Sequence, residues 1–342
     1  MSSSHLTPTR WAAITHRTSQ VIGMGGIRSR LARVVAVTVA VSGLAAGCGT
    51  DLEQSPRPAQ IVFAGDRYSI FAMYPDGTGI TRIGDGDCPS FARDGSQTVV
   101  GGYTIAVMNP DGSNVMKLTH GGYTHPTFSP DGARIAFVRG RAVYAMNADG
   151  GEPKQLGVIP DPDPTGLPSI VIPGTNVPVP TDRVGDPDSE GSTDRPAFSP
   201  DGSKILVARS GAVWVMASDR TETRQLLPGD PNVNSDPVFT PDGTGIAFAS
   251  NRARNGRSGI YVMDVDGQHI RLLNDDGGPS FSPDGTKIIY TRATRDPEST
   301  QGAEFRELWV MNSDDSASHR LTDPKQSVQQ AICGSWGRGT DS

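Results

Sequence analysis

This sequence of 342 residues predicts an all-β fold, a six-bladed β-propeller, and three observations point to it. A short apolar strand ending in methionine recurs six times, at Ile70–Met73, Ile105–Met108, Val143–Met146, Val213–Met216, Ile260–Met263 and Leu308–Met311. An aromatic residue leading into a Ser-Pro-Asp-Gly turn, or a close relative of it, recurs five times, at Phe91–Gly95, Phe128–Gly132, Phe198–Gly202, Phe239–Gly243 and Phe281–Gly285. Units of about 40 residues carrying four short strands each are the mark of propeller blades. The third observation is the count. The first unit begins without its aromatic strand, at Ile61-Val62-Phe63, and Ile332–Trp336 supplies an aromatic strand at the far end of the chain. The C-terminal strand is therefore expected to complete blade 1 and leave no open edge.

The first 47 residues read as a targeting segment, outside the fold. Arg28, Arg30 and Arg33 precede an apolar run from Val34 to Ala46 that is short for a membrane span. The run ends in Leu44-Ala45-Ala46-Gly47-Cys48, which resembles a bacterial lipoprotein signal with Cys48 as the lipidated first residue after cleavage. Leu44 stands four places before the cysteine, where the usual pattern has leucine three before. Met24 would open a shorter signal of more ordinary length. Residues 48–59 read as a tether, 60–338 as the propeller and 339–342 as a tail.

Within each unit, strands a to d follow from local chemistry. Strand a carries Pro-x-aromatic and ends in the Pro-Asp-Gly turn, where proline presets φ, aspartate caps backbone amides and glycine takes the left-handed conformation. Strand b follows at once, as in Ile135–Val138 and Ile246–Ala249. Strand c is the methionine strand. A second Asp-Gly turn, at Asp76-Gly77, Asp111-Gly112, Asp149-Gly150 and Asp266-Gly267, leads into strand d, read at Lys117–Thr119, Gln225–Leu227, Arg271–Leu273 and Arg320–Thr322. Two stretches depart from the repeat. An insertion from Gly157 to Asp194 holds eight prolines and seven acidic residues against one arginine, and a shorter one runs from Ala293 to Arg306. Both fall at connections opposite the Asp-Gly turns, where long loops serve function or stay without regular structure.

The pairing of Phe-Ser-Pro-Asp-Gly with Tyr/Trp-Val-Met-Asn/Asp-x-Asp-Gly resembles the WD-like repeat of the TolB propeller family over about Gln60 to Arg338. That resemblance implies a propeller. Its family also carries an α/β domain ahead of the blades, whereas here Gly49 to Ala59 alone separates Cys48 from the first strand.

Charge restricts the partners. Removing residues 1–47 takes away five of the 31 basic residues and none of the 37 acidic ones, leaving a formal charge of −11 where the whole chain carries −6. Nucleic acid is not expected to bind. The Asp-Gly turns lack the ligand run and terminal glutamate of calcium loops, and one methionine per blade fits packing between blades better than a copper site. No metal or other cofactor is expected.

The residue that opens strand a is Cys333 in blade 1, Cys88 in blade 2, His125 in blade 3, Arg195 in blade 4, Asp236 in blade 5 and Gly278 in blade 6. Cys88 and Cys333 stand on neighbouring blades and read as a disulfide in an exported protein, with two free buried thiols as the alternative. His125, Arg195 and Asp236 would then ring one mouth of the central channel as a site for a peptide or small ligand, or else serve only to satisfy backbone groups and solvate the rim. No nucleophile motif or metal-spaced histidine cluster accompanies them, so no catalytic residue is assigned. The sequence is thus read as a monomeric lipoprotein on the outer face of the cell membrane. Its propeller is expected to bind or scaffold an envelope protein, peptide or small ligand, and the membrane to be touched through the lipid alone. The alternative is a hydrolase or lyase acting on envelope glycans at the channel mouth.

Overall fold

Strand a of blade 1 is Ile332–Trp336, and it pairs antiparallel with strand b, Ile61–Ala64, through Ile61–Trp336 and Val62–Ser335. Strand c, Ser69–Met73, and strand d, Thr81–Asp85, complete that sheet. The C-terminal strand therefore closes the ring. The computed structural model describes residues 61–160, 195–253, 258–295, 304–325 and 328–337, and all lie within one unit, Glu53–Ser342. Cys48, the targeting segment, the tether, the tail and most of the long insertion lie outside the described residues.

The other blades repeat the a-b-c-d order. Blade 2 is Asp87–Phe91, Thr98–Gly101, Ala106–Met108 and Met116–Lys117, and blade 3 is Thr124–Phe128, Arg134–Arg139, Ala142–Asn147 and Lys154–Val158. Blade 4 is Ala197–Phe198, Lys204–Arg209, Ala212–Ala217 and Thr223–Gln225. Asn234–Phe239, Gly245–Ser250, Gly259–Asp264 and Arg271–Asn274 form blade 5, and Gly277–Phe281, Lys287–Arg295, Glu304–Asn312 and His319–Arg320 form blade 6.

The repeated methionine explains how blades adhere. Met73, Met108, Met146, Met216, Met263 and Met311 are all buried. Each packs into the seam between its own blade and the one before it: Met216 lies with Ala136 and Val138 of blade 3, and Met263 with Leu206 and Val215 of blade 4. An unbranched, polarizable side chain fills such an irregular gap without a fixed shape requirement. The second Asp-Gly turn brings backbone to the same seam. A Cβ on Gly112, at φ +84°, would stand 2.1 Å from the Ile83 carbonyl oxygen of blade 1, so only glycine fits.

The first turn is a hydrogen-bonded unit. In blade 3, Ser129 Oγ donates to Asp131 at 2.5 Å and accepts from Arg134 N at 2.9 Å, while Asp131 also accepts from Ala133 N at 3.0 Å. In blade 4 the same bonds, from Ser199 first and then Ser203, hold the Asp201 carboxyl at about 2, below its ordinary 3.8. The turn aspartates Asp131, Asp242 and Asp284 are lowered in the same direction, chiefly by the hydroxyls of Ser129, Thr240 and Ser282.

Three boundaries differ from the sequence reading. Strand d of blade 3 continues through Val158, which pairs with Ala142, and Ile159 beyond it is fully buried. The insertion therefore cannot begin at Gly157; glycine in the strand hid the continuation. The two ends of the stretch read from Ala293 to Arg306 are strand, because strands b and c of blade 6 run on as a ribbon through Ala293–Arg306 and Thr294–Phe305 to Arg295–Glu304, and residues 296–303 lie outside the described residues. Its charged residues concealed a strand pair that stands clear of the core. Strand d also stops early in blades 2, 4 and 6, at Lys117, Gln225 and Arg320. Thr119 and Thr322 turn their hydroxyls inward to accept from Ile105 N and Leu308 N, each at 2.9 Å, in place of ladder bonds.

Two outcomes follow from this packing. Replacing residues 161–193 with a short Gly-Ser linker is expected to leave cooperative melting unchanged, since loop closure changes slowly with length. Ile159→Ala is expected to cost about 2–5 kcal/mol in denaturant unfolding. Because the turn aspartates have folded values below their unfolded ones, their contribution is complete above about pH 4 and lost as the pH falls towards 2. Melting temperature should drop through that window, and Asp201→Asn should flatten the drop.

Candidate functional site

The residue that the sequence reading put at the opening of strand a is second in that strand in blades 1, 2, 3 and 6 and third in blade 5, and in these five blades it stands in the left-handed region: Cys88 (φ 36°), His125 (55°), Asp236 (48°), Cys333 (53°) and Gly278 (72°). At the same point the pairing with strand b slips by a residue in blades 1, 2, 3, 5 and 6. This is a β-bulge, which bends the strand and re-aims one side chain. A proline follows in every blade but the first, at Pro89, Pro126, Pro196, Pro237 and Pro279, and it removes the amide that the bulge would leave unpaired. Non-glycine residues held in this region cost of order 1–3 kcal/mol each. Strain is therefore gathered at one mouth of the channel.

A cavity of about 230 Å³ is lined by Phe91, Phe128, Phe198, Phe239, Phe281 and Trp336, one aromatic from each blade. The chemistry sits above this aromatic layer. Arg195 Nη1 donates to the Pro89 carbonyl of blade 2 at 3.3 Å, so the guanidinium of blade 4 reaches across the mouth. Burial lowers its pKa, and the charges of Asp236 and Asp87 oppose that shift. Arginine keeps its proton in such a setting. Arg195 thus joins Asp236 and Asp87, while His125 is brought to Asp87 and Cys88, whose ligating atoms all lie within 4.8 Å of one another.

Cys88 and Cys333 are joined by a disulfide, with Cα atoms 5.1 Å apart. It ties the closing strand to blade 2 across 245 residues of sequence, a loop for which the chain-entropy estimate is about 5 kcal/mol of stabilisation.

The mouth face is uneven. On the side of blades 5 and 6, arginines are pinned by carboxylates and stacked on rings. Arg252 binds Asp230 at 2.6 Å over Phe248 and Tyr261, and Arg292 binds Asp276 at 2.7 Å over Trp309. On the side of blades 1 to 3 a recess of about 1260 Å³ opens instead. Blade 2 has short strands b, c and d of four, three and two residues. The recess is lined by Asp87, Cys88, His125, Cys333, Lys117 and Arg139, and by Tyr68 and Tyr103, which are 71% and 82% exposed.

Asp87, Tyr68 and Tyr103 escaped the sequence reading. Asp87 stands one place before the repeat column that carries Cys88, and the tyrosines lie in connections with no repeated position. The only signal for Asp87 was its place next to Cys88, which gains meaning once the bulge is known.

Residues 182–296 match the family model described as the TolB beta propeller domain. TolB from Acinetobacter baumannii is similar in structure, at 17% identity and a TM-score of 0.59 over 82% of this chain and 67% of that one. A putative TolB from Agrobacterium tumefaciens is similar at 19% identity and a TM-score of 0.52, over 78% of this chain and 89% of that one. In sequence, the chain is 26% identical over 126 residues to a Bacillus subtilis (strain 168) protein named uncharacterized peptidase YuxL. That match takes in 33% of this chain and 19% of the relative, so the chain spans about a fifth of its length. The repeat, the closed ring of six blades and the matched segment agree that this chain is a six-bladed β-propeller similar to those of TolB proteins.

Proposed function

We infer that the propeller is a protein-binding module of the cell envelope, and that its partner docks on the mouth face over blades 1 to 3. The observation that carries this reading is the recess of about 1260 Å³ flanked by the exposed Tyr68 and Tyr103. Exposed tyrosines beside a concave surface are the anchors around which interface energy concentrates. Asp85 and Asp87 with Lys117 and Arg139 give the recess charges of both signs, suited to polar groups of a peptide or protein surface. The Asp-Gly face offers less: its concavity is about 390 Å³ and lined by turn residues such as Pro130, Asp131 and Pro200. No catalytic role is assigned to His125 or Asp236.

The envelope location rests on two features. A disulfide suits an exported protein, and the segment before Cys48 has the form of a lipoprotein signal. In this reading residues 1–47 are removed, Cys48 carries lipid, and residues 48–59 hold the propeller off the outer face of the membrane. Stable attachment needs at least two acyl chains, as lipoprotein cysteines provide.

Affinity capture from envelope extracts, followed by mass spectrometry, tests the docking face. Tyr68→Ala with Tyr103→Ala is expected to reduce recovery of the partner at least roughly tenfold, as is the His125, Arg195 and Asp236 triple alanine variant. Equal recovery with wild type would remove the mouth face from consideration. Metabolic labelling with a fatty acid tests the anchor: Cys48→Ala should abolish incorporation, and undiminished labelling would refute it.

A further inference from the structure

The disulfide lies within a denser set of ligand atoms than a covalent latch requires. Cys88 Sγ, a carboxylate oxygen of Asp87 and a ring nitrogen of His125 are mutually within 4.8 Å, and Cys333 Sγ is bonded to Cys88 Sγ. All four residues line the recess on the mouth face. Cys88, His125 and Cys333 also sit on the left-handed bulges of three consecutive blades, so rigid backbone fixes where each side chain starts. While the sulfurs are bonded to each other neither is a thiolate, and two ligands remain, short of the four that a structural zinc site uses.

We propose that this cluster is a latent zinc site opened by reduction of the Cys88–Cys333 disulfide. A dithiol reductant attacks one sulfur, passes two electrons and two protons to the S–S bond, and leaves as its own disulfide. Zn²⁺ then displaces the two thiol protons to solvent and is held by Cys88, Cys333, His125 and Asp87. Tetrahedral zinc, with bonds of about 2.0–2.3 Å, needs its ligand atoms roughly 3.3–3.8 Å apart. Asp87, Cys88 and His125 start from mutual separations within 4.8 Å, and Cys333 Sγ starts one bond from Cys88 Sγ, so the four are gathered by side-chain rotation. Two thiolates with an imidazole select a borderline-soft cation over calcium or magnesium. In the oxidised state the disulfide closes the ring; in the reduced state the metal bridges the same two blades and adds blade 3. The chemistry is independent of which partner docks on the face.

The test uses the full-length chain carrying Cys48→Ala, which leaves Cys88 and Cys333 as its only cysteines. It is titrated with Zn²⁺ against a chromogenic chelator, as isolated and after reduction by a phosphine, and Co²⁺ absorption reports thiolate ligation. The expected result is no competition from the oxidised chain and one Zn²⁺ per reduced chain, with sulfur-to-cobalt charge transfer. His125→Ala in the reduced state should weaken binding by at least roughly tenfold. Zn²⁺ should raise the melting temperature of the reduced chain but not of the oxidised one. Equal zinc binding in both states would overturn the proposal. So would reduced-state binding that ignores His125→Ala, or reduction that abolishes cooperative melting, since the four ligands meet only in the closed ring.

Discussion

A blade in this ring is a small sheet with two apolar faces, and neither face can be left in water. Each must be covered by a neighbour, so the array is stable only when the last blade meets the first. Here that meeting is made by backbone pairing between Ile332–Trp336 and Ile61–Ala64, and by a core that joins Ile61, Phe63 and Met73 of blade 1 to Ile289, Leu308 and Val310 of blade 6. The buried methionines, the glycine seats against the preceding blade and the hydrogen-bonded turns are ways of repeating one blade-to-blade contact at a fixed angle. Closure then converts those local contacts into a single cooperative unit.

The mouth inherits its properties from the same geometry. Six strands converge on the axis, and a bulge near the start of strand a in five blades carries a side chain in four of them and Gly278 in the fifth. One aromatic from each blade lines the cavity beneath, and Arg195 lies against it. Arg195 stands there with Asp236 and Asp87, whose charges oppose the effect of burial on its guanidinium. The ion pairs of Arg252 and Arg292 brace the far rim. Among the described residues, the large recess of this face lies over blades 1 to 3.

Much of this was legible in the sequence because the repeat writes the same physics six times. Methionine spacing gave the blade count, the Pro-Asp-Gly turns gave strand order, and the missing first strand a pointed to closure by Ile332–Trp336. The column holding Cys88, His125, Arg195, Asp236 and Cys333 could be read for the same reason. What escaped lies where periodicity falls silent. Gly157 concealed the end of a strand, the charged ribbon of blade 6 looked like a loop, and Tyr68 and Tyr103 occupy connections that belong to no column. Asp87 was missed because contact between neighbouring blades, rather than spacing along the chain, gives it its companions.

Near-identical units arranged in a circle raise a problem of address, since anything that recognised only the shared pattern would meet it in six orientations. Blade 2 resolves that ambiguity. Its short strands lower one sector of the rim and its Ala92-Arg93 stands where the other turns have Ser/Thr-Pro. The disulfide sits at the edge of that sector. A single irregular blade thus gives the disc a north, from which every other position around the axis can be told apart.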